Sequence, residues 1–340
     1  MNSKLKIASG IPVSKSTVSS NGVTPGGDEM LEVLTTAVSY SSAIALAAAG
    51  ITLIYMTTGT FSFAHASMTA LGFYTIFTFS KVLFKEKGHP YMFFPLAALF
   101  SGALGVLTYL TVNRWLLKRR ADMITLMMST LGVDLVYFAL LNIFADYLTE
   151  NYKVNARLIV LSTEDIVLAH IGGFALRGIP VISLLLVVIT VISLKYVINR
   201  TKFGITLRVT VENPSLAEIV GINPETIYLT SWFLGGALAG LAGAILSMVV
   251  TGTPAVGSSV IVPEFAGSIV GGLYSLFGGF AGGYLIGMSE YIVITLVATY
   301  ISRNLVVYQP IIPLLVMATF LLLYPEGLGA LNMGKISRRR

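Results

Sequence analysis

An all-α polytopic membrane protein is the fold class this sequence predicts, and three observations predict it. Of 340 residues, 55% are hydrophobic and 11% charged, against roughly 25% charged in a soluble domain. Long, continuous apolar runs recur along the chain, and the mean hydropathy is +0.82. The chain also carries 33 Gly and 12 Pro, residues more frequent in membrane helices than in soluble ones. This composition disfavours a soluble enzyme, a disulfide scaffold, a coiled coil and a disordered chain. An outer-membrane barrel would show short alternating segments instead. The absence of Cys excludes disulfides, thiolate metal sites and thiol catalysis. A net charge of +6 suits cytoplasmic loops and lipid head groups, so no nucleic-acid partner is expected.

Residues 1–29 are polar, rich in Ser, Thr and Gly, and read as a flexible N-terminal tail. A spanning helix needs about 20 apolar residues. Candidate spans follow at about 31–56, 61–83, 91–117, 122–147, 179–198, 226–250, 262–280, 281–300 and 308–324, within a transmembrane domain at 30–326. That gives about 8–9 helices, the lower number holding if Gly-broken segments form a re-entrant pair. Residues 148–178 make the long connection on one side and are expected to form a small amphipathic cap. Residues 327–340 form a basic C-terminal tail.

Orientation follows from Lys and Arg near the span ends. Arg114, Lys118, Arg119 and Arg120 form one cluster, and Lys195, Arg200, Lys202 and Arg208 a second. Lys335, Arg338, Arg339 and Arg340 form the third. All three fall on one side, which is expected to be cytoplasmic together with the C-terminus, leaving the N-terminus outside. Lys81, Lys85 and Lys87 dissent.

The interior lacks the chemistry of an enzyme. His65, His89 and His170 sit in unrelated segments, and neither HExxH, GxSxG nor GxxxxGK[ST] occurs. No catalytic residue, metal site or cofactor is expected in this chain. Ion-driven carriers bury carboxylate relays, and only Asp134 and Glu290 offer themselves here. A self-sufficient secondary carrier would rest on that pair alone.

Three constellations stand out. In EFAGSIVGGLYSLFGGFAGGYLIGMSE, residues 264–290, Gly267, Gly271, Ser275, Gly279, Gly283 and Gly287 recur every four residues. This is small-xxx-small spacing for close helix packing. A four-residue step drifts about 40° per repeat, so the pattern predicts two helices meeting at a break, near Gly278–Gly279. The second is Gly59-Thr60-Phe61-Ser62-Phe63-Ala64-His65-Ala66, followed by Gly72. His65 belongs inside the bundle, packed and hydrogen-bonded or in contact with a solute, and Phe61 and Phe63 could line an apolar gate. The third is the loop at about 199–225. Asn213 is a good N-cap with Pro214 at the first helical position, and Gly221 can close the short helix. With Leu216, Ile219 and Val220 exposed, the loop reads as a docking element for a cytoplasmic partner.

At these residues the chain resembles the permease subunits of the branched-chain amino acid ABC importer family. The matching segments are 59–72, the loop from Arg208 to Asn223 with the Gly/Ala-rich 234–246 after it, and 266–287 with Gly271-Gly272 and Gly278–Gly283. The resemblance spans about 31–326. It implies an ABC-importer permease bundle in a prokaryotic cell membrane, forming half of a translocation pathway for branched-chain or other small amino acids. It further implies a second permease subunit (homologous, or the same chain as a homodimer), two cytoplasmic ATPase subunits that bind the ATP, and an extracytoplasmic solute-binding protein. Residues 212–223 resemble the coupling helix, with Glu212, Ala217 and Gly221 at its signature positions and Leu216 on the docking face. Phe61, Phe63, His65 and Gly272 are the expected pathway residues. Ser62 and Ala66 replace the Asn and Gly common in the family, and urea or short amides remain alternative solutes.

Overall fold

The computed structural model describes residues 27–84, 88–171, 174–325 and 327–329. The predicted tail therefore lies outside the described residues except for Gly27, Asp28 and Glu29, which already belong to the first helix. The three C-terminal basic residues Arg338–Arg340, with Lys335, also lie outside them.

The nine apolar segments are largely helical, but 61–83 begins with non-helical residues 61–64 and 262–280 is split between two helices. Helix α1 (Gly27–Thr58) is followed by α2 (His65–Phe77), which continues through a π-type turn, Thr78–Leu83. A 3₁₀ turn, Pro90–Phe93, leads into α3 (Phe94–Thr108), a second π-type turn and the short α4 (Arg114–Lys118). Helix α5 (Met123–Tyr152) is followed by a two-stranded antiparallel hairpin, β1 (Val167–Ile171) and β2 (Phe174–Arg177), with His170 opposite Ala175. Then come α6 (Gly178–Arg200), α7 (Lys202–Glu212), α8 (Pro214–Ile219), α9 (Pro224–Val249), α10 (Val256–Gly271), α11 (Leu276–Tyr300) and α12 (Ile311–Leu323). Among the described residues, six helical stretches are long and apolar enough to cross a membrane. Helices α10 and α12 are shorter apolar helices.

The long connection after α5, expected as a small amphipathic cap, contains this hairpin. Val167-Leu168-Ala169-His170-Ile171 and Phe174-Ala175-Leu176 flank Gly172-Gly173, and two short apolar runs separated by Gly-Gly are a hairpin signal. Lys81, which dissented from the charge pattern, forms an ion pair with Glu164 at 2.5 Å. The opposing charge offsets its contribution on the hairpin side.

Helix α1 is the axis of the bundle, and Ala43, Ile44, Leu46, Ala47, Ala48 and Ala49 are fully buried. Small residues allow this by letting backbones touch. A Cβ on Gly50 would lie 2.7 Å from the Gly235 carbonyl oxygen, and one on Gly235 would lie 3.0 Å from that of Gly50, so α1 and α9 cross at glycine. Helix α11 runs antiparallel along α1, Gly279 meeting Ala49 and Thr52, Gly283 meeting Ala45 and Ala48, and Gly287 meeting Ser41. Helix α9 packs on α3 in the same manner, Gly105 against Trp232 and Gly236 against Ser101. By contrast α6 exposes a row of Val181, Leu184, Leu185, Val188 and Ile192, a surface suited to lipid.

The chain uses one building unit twice. A long helix, Thr-Gly-Thr, a short helix and a long helix occur as α1, Thr58–Thr60, α2, α3 and again as α9, Thr251–Thr253, α10, α11. The first long helix of each unit packs along the last helix of the other. The units run in opposite directions. Helix α1 starts beside Leu176 and Pro180 at the hairpin end, whereas α9 starts at the basic end, where Glu225 pairs with Arg114 at 2.6 Å.

Candidate functional site

Non-helical backbone joins α1 to α2 inside the bundle. Gly59, with φ +69°, ends α1 after its N–H bonds to the Tyr55 carbonyl at 2.8 Å. The chain then runs unwound to His65. This turn is tied to α5, because Phe63 N donates to Thr130 Oγ1 at 3.1 Å. Thr130 lies seven residues into α5, which at 1.5 Å per residue is about 10 Å from its start at the basic end.

Asp134 caps α2 from outside. Its Oδ1 accepts from Ser67 N at 3.2 Å and Ser67 Oγ at 2.5 Å. A helix begins with backbone N–H groups that have no partner within it, and a carboxylate there also suits the helix dipole. Asp134 thus has a structural occupation. His65 is fully buried; its Nε2 donates to the Ala47 carbonyl at 3.1 Å and its Nδ1 has no protein partner. The structure does not bring His65 to the surface that carries Phe61 and Phe63.

Glu290 accepts from Tyr40 Oη at 3.1 Å and from Gln309 Nε2 at 2.8 Å, joining α11 to α1 and to the turn before α12. A third interior carboxylate escaped the sequence reading. Glu264 in α10 is fully buried, accepts from Thr69 Oγ1 at 3.2 Å, and leaves Oε2 without a hydrogen-bond partner. The only available signal was a Glu after Pro263 inside an apolar run. Beside it, Thr52 and Ser268 share a 2.8 Å hydrogen bond between α1 and α10. Among the described residues no three His, Asp or Glu gather to hold a metal ion.

The helix break lies at Gly272–Ser275, not at Gly278–Gly279. Gly272 takes φ +91°, and Ser275 Oγ caps α11 by accepting from Gly278 N at 3.1 Å. Gly278 and Gly279 form the first turn of α11, close to α10: a Cβ on Gly271 would lie 2.2 Å from the Gly278 carbonyl oxygen. Gly267 packs on Gly283 in the same antiparallel pair.

Aromatic side chains gather where the two breaks meet. Tyr55 and Phe61 ring centroids are 4.7 Å apart, and Tyr55 and Tyr274 are 5.8 Å apart. Phe265 stands edge-on to Phe61 at 5.3 Å and to Phe63 at 5.2 Å. Phe61, Phe63, Phe265 and Gly272 are half-buried, and Tyr274 is exposed. Sequence reasoning named Phe61, Phe63 and Gly272 but missed Tyr55, Phe265 and Tyr274, because four separate segments supply the cluster.

The basic end carries a second feature. Asn213 Oδ1 accepts from Leu216 N at 3.1 Å and caps α8. Gly221, at φ +82°, closes it, with Gly221 N bonding to the Glu218 carbonyl and Ile222 N to that of Ala217, a Schellman pattern. Ala217 is fully buried, whereas Leu216, Ile219 and Val220 are 52%, 81% and 63% exposed. Glu212 ends α7 and is exposed.

A multi-pass helical bundle with paired broken helices and a capped apolar helix at its basic end has the architecture of a membrane permease. Comparison with known proteins makes the assignment particular. The family described as "Branched-chain amino acid transport system / permease component" matches residues 33–323, and the chain belongs to that family. It is 35% identical over 312 residues to a probable branched-chain amino acid transport permease protein LivH of Methanocaldococcus jannaschii, covering 92% of this chain and 96% of the relative. It is 23% identical over 309 residues to the high-affinity branched-chain amino acid transport system permease protein LivH of Salmonella typhimurium, covering 88% and 94%. The corresponding BraD protein of Pseudomonas aeruginosa is 25% identical over 273 residues, covering 76% and 85%. No solved structure matches the chain.

Proposed function

We propose that this permease subunit forms half of the pathway of an ATP-driven importer for branched-chain amino acids. A second permease subunit, homologous or identical, supplies the other half. Two ATPase subunits bind the basic end, which is cytoplasmic, and a solute-binding protein delivers cargo at the hairpin end, outside, where α1 begins. The alternative cargo is urea or a short amide.

Helix α8 is the observation that carries this reading. A six-residue helix cannot hold itself together, yet this one is capped at both ends and buries Ala217. Its other face offers Leu216, Ile219 and Val220 at the polar, basic end of the bundle. Such a face suits a partner's groove, and α7 links it rigidly to the bundle. Nucleotide-driven closure of the ATPases would then move the permease as a body and alternate its openings. The chain supplies no phosphate cradle of its own, so energy enters through this contact. Asp134 and Glu290, which would have to act as relays in a self-sufficient carrier, act here as a helix cap and an inter-helix clamp. Phe61, Phe63 and Gly272 border the pathway, and His65 fixes the turn that carries the two phenylalanines.

The test is purification of the chain from native membranes with its partners, reconstitution, and uptake of labelled leucine or urea with and without ATP inside the vesicles. ATP-dependent leucine uptake is expected; uptake that ignores ATP would overturn the reading.

A further inference from the structure

Helix α10 has one uncovered face. Ala255 just before it and Ser258 and Ser259 in its hairpin-side half are exposed, and Val262, Phe265 and Ile269 are half-buried beyond them. These positions recur every three or four residues and line one stripe. Apart from half-buried Ile261, the other positions of α10 are buried, including Gly257, Val260, Glu264, Gly267, Ser268 and Gly271. The uncovered hydroxyl and methyl groups differ from the row of Leu, Val and Ile that α6 presents. At its basic end the stripe meets Phe265 and hence the unwound turn 59–64. Irregular backbone at membrane depth is tolerated where protein buries it or where it borders a water-filled cavity, not against lipid. Gly59 is exposed and Phe61 and Phe63 are half-exposed there, so this surface is not one that lipid covers.

We infer that Phe61, Phe63 and Phe265, backed by Tyr55 and Tyr274, form a constriction across the solute pathway at the basic-end third of the membrane and select solutes with an apolar aliphatic side chain. This rests on the permease reading above and names the residues that narrow and read its pathway. The stripe from Ala255 to Val262 is the wet vestibule leading to it. An apolar ring excludes water and ions when closed. Among the described residues no Lys, Arg, Asp or Glu makes a hydrogen bond or ion pair with these side chains. A charged side chain entering the ring would therefore lose its water without compensation, whereas an aliphatic one loses nothing by the exchange. Phe61 and Phe63 hang on the turn that starts at Gly59, φ +69°, and Tyr274 on the turn that starts at Gly272, φ +91°, while Phe265 is fixed in α10. The constriction can part by moving these turns away from Phe265 without unwinding a helix.

Because the chain has no Cys, single cysteines report without background from this subunit. In the assembled transporter, sealed in vesicles, Ser258→Cys, Phe265→Cys and Tyr274→Cys are compared with Leu185→Cys and Ile189→Cys on α6, using a membrane-impermeant thiol reagent applied from each side. Ser258→Cys is expected to react from one side only and Tyr274→Cys from the other. Phe265→Cys should react about tenfold more slowly or less, since only the thiolate reacts and apolar surroundings suppress it. Phe265→Ala should leak leucine without ATP and discriminate leucine from alanine and lysine less well. Ser258→Cys as inert as the α6 controls would mean that lipid or the second subunit covers the stripe, and overturns the inference. So would Phe265→Cys reacting as fast as Ser258→Cys from the same side. In either case ATP-driven uptake by the unsubstituted transporter would stand, so failure here is separable from failure of the importer reading.

Discussion

Gly283→Ala tests whether backbone contact between α1 and α11 holds the bundle together. A Cβ there would lie 2.7 Å from Ala45 Cα and 2.8 Å from Ala48 Cβ and the Ile44 carbonyl oxygen. Carbon atoms rest at about 3.5–4.0 Å, so the helices must part by about 1 Å. Two of the three obstructing atoms are backbone and cannot swing aside. Overpacking of this kind costs typically about 1–3 kcal/mol, while Ala returns up to about 1 kcal/mol of helix propensity relative to Gly. The control is Gly132→Ala in α5, whose Cβ would meet nothing within 4 Å; there only the propensity gain remains. Thermal unfolding of the detergent-purified protein, followed by loss of the monodisperse peak, should therefore move in opposite directions. Each kcal/mol corresponds to roughly 2–4 °C or less at this size. If Gly283→Ala is as stable as Gly132→Ala, the glycine spacing reflects something other than helix approach.

Other residues give sharper separations. Asp134→Asn keeps an acceptor for Ser67 and should retain ATP-driven uptake, as should Glu290→Gln; a carrier using them as proton relays would lose transport in both. Asp134→Ala strands the Ser67 donors and should lower stability by about 1–3 kcal/mol, read in the same melting assay. Gly221→Val places a β-branched residue at φ +82° and should cost about 1–2 kcal/mol locally, uncoupling ATP hydrolysis from uptake while membrane insertion, measured by fractionation, persists. Glu225→Ala opens the partly exposed pair with Arg114 and should change stability by no more than about 1 kcal/mol.

The spans were legible because twenty-residue apolar runs have few alternatives, and α8 was legible because Asn213, Pro214 and Gly221 are local signals. The break in the Gly-rich stretch was foreseen but misplaced. Spacing treats Gly271, Gly272, Gly278 and Gly279 alike, whereas the chain turns where Gly272 adopts a positive φ and Ser275 can cap the next helix. Glu264 was passed over because its partner, Thr69, is 195 residues away. The aromatic cluster was half visible for the same reason: Phe61 and Phe63 are neighbours in sequence, but Phe265 and Tyr274 reach them only through the fold. The hairpin after α5 was anticipated only as a small amphipathic cap, because the pairing of its two short strands was not read from the Gly-Gly between two apolar runs.

The central claim is that energy reaches this subunit through α8. The most direct measurement is solute-stimulated ATP hydrolysis and leucine uptake by the reconstituted transporter carrying Ile219→Asp, which places a charge at the most exposed apolar position of that helix, 81% accessible. The variant is expected to insert and fold normally, to lose ATP-driven uptake, and to lose the stimulation of hydrolysis by solute and binding protein. Wild-type uptake and stimulation by Ile219→Asp would contradict the account.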